Sequence, residues 1–397
     1  MKELRITRSA RSTVLAALVL TTAAATTSCV ASTEEIEDDI GTVQSASTWN
    51  PKRHMTDKLG LPSRFLVGLG NDVTAAEGWD PNRAHAFELG QKLDIHYMYL
   101  SGLDWPTWNS PEGAYVTIHA KAAKARGVIP MFTLYQAAAS GENNLGAFAD
   151  TTFMTKYWRN VRTMYKRLGE LGSPSIVHLE PDLWGYFQKR GDAPSAVRVK
   201  VGSLVPECAG MPEDASGFGK CLVKLGRQLA PRAAIGLSAS TFAAYTDGRS
   251  DAKRIATYLN KVGAIEADFM VVETLDRDAG CFERAIDPLC KRSGKFYWGD
   301  ADYREHLAWA KTIHQNTGKA LLWWQMPLGV PSSSSGYASR YRDNRVQWLF
   351  SHPREFVDAG GVGAVFGTGA PNQTTAKTDG GQFKNAVTRY YSSATWF

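Results

Sequence analysis

From residue 60 onward the sequence predicts an α/β fold, a (β/α)8 barrel, on three observations. Eight short runs of apolar, β-branched or aromatic residues recur along the chain, amphipathic stretches separate them, and most runs end on a polar side chain. Such runs are what parallel strands covered on both faces look like, and parallel neighbours need a crossover, usually a helix, between them. Eight such units close a barrel, although an open doubly wound sheet has the same periodicity and stays as the alternative. With 44% hydrophobic, 21% charged and 11% aromatic residues in 397, the chain is globular and long enough to fill one large core.

The elements follow in order. Lys2, Arg5, Arg8 and Arg11 precede an apolar stretch over 14–25 and then Thr26-Thr27-Ser28-Cys29. That is the layout of a secretory signal, too short to span a membrane. It resembles a bacterial lipoprotein signal, which implies residues 1–28 as a signal peptide and lipid on Cys29. Thr26 stands where that pattern has Leu, so ordinary cleavage nearby remains the alternative. Residues 29–59, with Glu34, Glu35, Glu37, Asp38 and Asp39 in a weakly apolar setting, read as a tether, and 60–397 as the barrel domain. Strands are expected at 65–69, 95–100, 128–135, 176–179, 234–237, 269–272, 320–324 and 362–366. Asp80-Pro81 offers an N-cap and an N1 proline for a first helix, and further helices are expected at 113–126, 151–171, 251–262, 303–317 and 342–357. The long connection 188–230 reads as an elaborated fourth βα loop.

Besides Cys29 there are four cysteines, which allow three connectivities. The local pairs Cys208–Cys221 and Cys281–Cys290 need the least chain closure and suit an oxidising compartment. A zinc site is the rival, but it lacks paired C-x-x-C or Cys/His spacing.

Active sites of (β/α)8 barrels sit at the C-terminal ends of the strands, so the residues ending each run are the candidates. They are Asn71 and Asp72, Ser101 and Asp104, Gln136, Glu180 and Asp182, Ser238 and Ser240, Glu273, Gln325 and Thr368. Period-2 alternation puts Glu180 on the face of Ile176 and His178, Glu273 on that of Phe269 and Val271, and Gln325 on that of Leu321 and Trp323. Two carboxylates at one mouth are the minimum for glycoside hydrolysis, one a proton donor and the other a nucleophile or a base for water. Glu180 is read as the acid/base and Glu273 as the second carboxylate, with Asp182 tuning Glu180 and Asp276 and Asp278 as alternatives. The competing role for each Glu is a rim salt bridge to Arg277 or Arg190. His178 reads as a core histidine.

Aromatics cluster at the same ends: Trp79, Trp105, Trp108, Trp184, Tyr186, Trp298, Trp323 and Trp324. Flat apolar faces beside polar groups suit sugar rings. Trp105, Trp108 and Trp184, flanked by Asp, Pro and Gly, are the better binding candidates, while one of Trp323 and Trp324 is expected to fill the core. Gln136, Gln325 and Asp72 are read as hydrogen-bonding sugar hydroxyls, with Asp104, Asp276 and Trp324 as further substrate contacts.

Other chemistries find no motif. There is no H-x-H or H-E-x-x-H, Gly236-Leu-Ser238-Ala-Ser240 lacks the last glycine of a nucleophile elbow, and Gly68-Leu-Gly70 lacks the third glycine of a dinucleotide fingerprint. No metal and no cofactor is implied. The net charge of +6 comes without a Lys/Arg run interleaved with aromatics, so nucleic acid is not an expected partner.

The segment Ile176-Val-His-Leu-Glu180-Pro-Asp182-Leu-Trp184 resembles the acidic strand of TIM-barrel glycoside hydrolases, and its Glu-Pro-Asp is similar to a segment of the family 6 cellulases. Glu180 at strand four also resembles the acid/base of the clan of retaining barrel glycosidases. Leu179 stands where that clan has Asn, and Gln325 where it has its nucleophilic Glu, so the resemblance carries an acid/base role to Glu180 and no nucleophile. The expectation is an exported, monomeric glycoside hydrolase acting on a polysaccharide or oligosaccharide, in the cell envelope or secreted, touching a membrane only through its lipid. The alternative is a non-catalytic cell-surface barrel that binds glycans.

Overall fold

The computed structural model describes residues 49–397 apart from 142, 286–289, 291–293, 338 and 371. The expected signal over 1–28 and the expected lipid site Cys29 lie outside the described residues. Eight parallel strands close into a barrel: β1 (Leu66–Gly70), β2 (Ile95–Ser101), β3 (Ile129–Tyr135), β4 (Ser175–Leu179), β5 (Ala233–Ser238), β6 (Phe269–Val272), β7 (Ala320–Met326) and β8 (Gly361–Gly367). Neighbours in sequence are neighbours in the barrel, and β1 pairs with β8 to close it, Leu66 opposite Gly363 through Gly70 opposite Gly367. The eight expected strands are all present, which settles the closed barrel over the open sheet.

Among the described residues twelve α-helices accompany the strands: α1 (Pro51–Leu59), α2 (His85–Glu88), α3 (Ala114–Lys124), α4 (Thr151–Leu171), α5 (Leu183–Arg190), α6 (Ala215–Leu229), α7 (Ala252–Leu259), α8 (Ala279–Arg284), α9 (Asp300–Thr317), α10 (Arg345–Ser351), α11 (Pro353–Asp358) and α12 (Gln382–Ser392). Asp80 caps only a single 3-10 turn, Pro81–Arg83, before α2. The helix expected over 342–357 is two helices, because Pro353 has no amide proton to continue α10 and instead opens α11. That expected over 251–262 holds as α7 but ends in a wider turn, Asn260–Ala264, where Gly263 takes φ 121°.

The tether boundary needs correction. Residues 51–59 are helical, since the Asn50 side chain accepts from the amides of Lys52 and Arg53, Pro51 sits in the first turn and Gly60 closes the helix at φ 67°. Helix α1 lies under the barrel. Met55 and Leu59 pack with Ile95, Phe269, Ala320 and Val362, residues that begin their strands, and Lys58 pairs with Asp268 at 2.9 Å. The barrel unit therefore begins at Trp49 and not at residue 60.

Alternation sorts the strand side chains into two cores. Ile95, Tyr97, Met131, Ile176, Ala234, Phe269, Val271, Leu322, Trp324 and Val365 fill the barrel. Met98, Leu100, Phe132, Val177, Leu179, Leu237, Met270 and Trp323 face the helices. Cys208–Cys221 and Cys281–Cys290 are disulfides, as the spacing suggested. No helix among the described residues is long and apolar enough to cross a membrane.

Candidate active site

Over the C-terminal ends of the strands lies a hollow of about 540 Å³, lined by Tyr99, Tyr135, Asp182, Glu273, Asp276, Trp324 and Gln325, with Arg277, Tyr186 and Phe242 at its edge. Glu273 follows Val272 in the alternation that carries Phe269 and Val271 inward, so it reaches the mouth as its position predicts. Asp182 arrives from the turn after β4 and Asp276 from that after β6. Arg277 pairs with Asp276 at the edge of the mouth. Gly369 closes one side. A Cβ there would come within 1.8 Å of the Asp276 carbonyl oxygen, so only glycine lets the two loops meet.

Below this floor the barrel is sealed. Trp324 lies edge-on to His178, whose ring nitrogens contact Thr133 Oγ1 at 3.3 Å and Ser238 Oγ at 2.6 Å. Burial lowers the His178 pKa to about 3, so it is a neutral core histidine, as expected.

Two residues trade sides. Alternation sends Glu180 inward and Gln325 outward, but both have left-handed backbones, φ 50° and φ 52°. That conformation swings a side chain off the face the pleat would give it. Gln325 therefore turns into the mouth, where its Nε2 donates to Tyr99 Oη at 2.6 Å and to the Thr368 carbonyl at 3.2 Å. Glu180 turns away from it. Its carboxyl is fully buried and accepts from the amides of Gln136 at 3.0 Å and Ala137 at 3.1 Å and from the Tyr157 hydroxyl of α4 at 2.9 Å. Desolvation outweighs these hydrogen bonds and raises its pKa to about 8. Glu180 thus has the raised pKa of a proton donor but stands outside the hollow, and its position gives it no access to a substrate there.

Several other candidates are structural. Asp72 is spent on the Ala86 amide at 2.7 Å and His96 Nε2 at 2.8 Å, and its pKa is lowered chiefly by His96 against the cost of burial. Gln136 is fully buried, its oxygen accepting from Asn160 and its amide donating to the Tyr157 carbonyl. Trp105 and Trp184 are 0% and 1% exposed and belong to the outer core, where Trp184 Nε1 donates to the Leu179 carbonyl at 2.8 Å. Trp105 opens a 3-10 turn and Trp184 lies in the first turn of α5, so flanking Asp, Pro and Gly signalled element starts and not exposure. Asp104 is exposed and sits at the start of the 3-10 turn Trp105–Thr107, outside the hollow. Asp278, at a pKa raised to about 7 by burial and by Asp343, holds the Gly329 and Thr374 amides. Of the predicted contacts, Asp182, Glu273, Asp276, Trp324 and Gln325 are the ones brought together.

The reading of strand ends missed Tyr99 and Tyr135. Both sit near the ends of apolar runs, and a phenol at such an end is itself a signal, since its hydroxyl needs a partner where the strand meets the mouth. Tyr99 remains a phenol at any ordinary pH: burial first, then Tyr97 and Asp182, push its pKa well up. Among the described residues no group of three or more His, Cys, Asp or Glu is arranged to hold a metal.

No protein-family model matches the sequence, and no curated protein sequence matches it. Solved structures do match. The catalytic domain of a Bacillus sp. JAMB-750 GH26 endo-β-1,4-mannanase aligns over 86% of this chain and 89% of its own with 11% identity and a TM-score of 0.51. Thermotoga maritima Cel5A, solved with mannotriose, aligns over 85% and 99% with 13% identity and a TM-score of 0.49. A Clostridium cellulolyticum H10 D-psicose 3-epimerase, solved with D-tagatose, aligns over 83% and 99% with 13% identity and a TM-score of 0.42. At such identities the likeness is one of fold, and the chain is a TIM barrel.

Proposed function

We propose that this protein is an exported glycoside hydrolase that cuts polysaccharide or oligosaccharide chains with Asp182 and Glu273 as its carboxylate pair. The observation that carries the reading is that these two side chains line one hollow at the C-terminal mouth, among Tyr99, Tyr135, Tyr186 and Trp324. Aromatic faces beside carboxylates suit a pyranose ring, apolar on its faces and polar at its rim. One carboxyl gives its proton to the glycosidic oxygen as the C–O bond breaks. The other attacks the anomeric carbon or takes a proton from the water that does. Gln325 holds Tyr99 Oη by donating to it, so the phenol proton points away from Gln325 and is available to the hollow.

A panel of polysaccharides incubated with the purified protein should yield new reducing ends on at least one member. Saturable binding with no turnover on any member would overturn hydrolysis. It would support the second reading, a glycan-binding barrel, which is favoured by Glu180 turning away from the mouth and by an amide, Gln325, at the end of β7. Export with lipid on Cys29 belongs to the same proposal. Cys29→Ser should move the protein from the membrane fraction to the soluble one, and an unchanged partition would refute the anchor.

A further inference from the structure

The mouth extends sideways into a second hollow of about 860 Å³ that shares Tyr99, Tyr135 and Gly369 with the first. Its character is different. No Asp, Glu, Lys or Arg among the described residues lines it, and Trp79, Trp108, Tyr115, Ile118 and His119 form its walls. Trp79 is 64% exposed and Trp108 43%. Trp108 meets Tyr115 edge-on at 5.1 Å, and Tyr115 lies over His119 at 4.2 Å. His119 is only 4% exposed, and its Nδ1 has no hydrogen-bond partner. Burial lowers its pKa to about 3, so this wall is neutral at any ordinary pH.

Trp79 is held out deliberately. Its backbone is left-handed at φ 55°, a conformation that costs a bulky residue of order 1 kcal/mol or more and persists only where surroundings enforce it. The enforcement is visible: the Trp79 amide donates to the Thr74 carbonyl at 3.1 Å, and Glu77 ties the same turn to the Thr74 amide at 3.0 Å, to His85 at 2.9 Å and to Lys377 at 2.6 Å. A strained turn locked by ion pairs, with an indole left in solvent at its tip, gains nothing for the core.

We infer that this hollow is a binding site for neutral sugar units of a glycan chain, remote from the bond that is cut, with Trp79 and Trp108 as its stacking faces. The inference rests on the carbohydrate reading of the mouth and adds the substrate class: an uncharged chain several sugars long. A uronate would have to shed its hydration against an aromatic wall that offers no cation.

The test is a titration of the Asp182→Asn protein, in which cleavage is slow on the timescale of the measurement, with mannohexaose, cellohexaose, xylohexaose and hexagalacturonate, followed by tryptophan fluorescence. At least one neutral hexaose should bind, and tighter than hexagalacturonate. Trp79→Ala and Trp108→Ala should each weaken it by about tenfold while leaving disaccharide affinity and the melting temperature unchanged. Trp79→Phe should keep most of the affinity. The inference is overturned if no neutral hexaose binds, if the hexauronate binds more tightly, or if both alanine variants bind the hexaose like the parent. Binding through Trp79 with no turnover by the parent protein on any glycan would sink hydrolysis alone, and turnover indifferent to Trp79 and Trp108 would sink this inference alone.

Discussion

Asp182→Asn is expected to lower kcat on an unactivated polysaccharide by about 10²–10⁴ or more, with substrate affinity close to that of the parent. An amide keeps the shape and hydrogen-bonding reach of the carboxyl but can neither deliver a proton nor take one. Glu273→Gln should be as damaging, because an amide is no nucleophile and no base for water. Since the two carboxyls act on one bond, the double variant should be little worse than the poorer single one. Full turnover in either single variant, measured by reducing ends on a substrate with a poor leaving group, would remove that residue from the pair. Glu180→Gln is the control that separates the two readings of the acidic strand: chemistry at the mouth should survive it.

Glu180 should announce itself through stability instead. Its folded pKa of about 8 lies above the ordinary carboxyl value, so the folded state holds a proton that the unfolded state has already released. Stability from this group is complete below the unfolded pKa and is lost as pH rises toward 8, by roughly 1.4 kcal/mol per pH unit in a window where it titrates alone. Buried His119, His178 and His306, each near 3 when folded, act oppositely, but only below the unfolded histidine pKa. Asp278 adds to the fall up to about pH 7. Between pH 7 and 8 the slope should therefore belong mainly to Glu180. Urea midpoints measured across this range should fall for the parent and stay level for Glu180→Gln, whose amide mimics the protonated acid. Parallel profiles would mean that the carboxyl is ionised at neutral pH.

The barrel was legible because the strands are buried on both faces, so they show as mostly apolar runs, most of them closed by a polar residue. Glu273 was placed correctly because β6 runs into it without a break in the pleat. Glu180 was not, and Gln325 reaches the mouth only by leaving the face assigned to it, because alternation assumes an extended backbone and both sit at positive φ, a property that a Glu or Gln does not advertise as a Gly or Asn would. Asp72 and Gln136 look like ligands in sequence because a polar residue at a strand end serves a substrate or a loop amide equally well, and here the amides and buried side chains had claimed them. Trp105 and Trp184 went into the core because a 3-10 turn and helix α5 pack against the outside of the barrel, which no local pattern encodes. Helix α1 was hidden in a segment whose charges suggested a tether, and its cap residues Asn50, Pro51 and Gly60 were the signal to use.

The seating of α1 beneath the strands gives the molecule a direction. Helix α1 packs among residues at the N-terminal ends of the strands, the pole opposite the mouth, so substitutions of Met55 or Leu59 should lower the stability of the barrel while leaving the residues of the hollow in place.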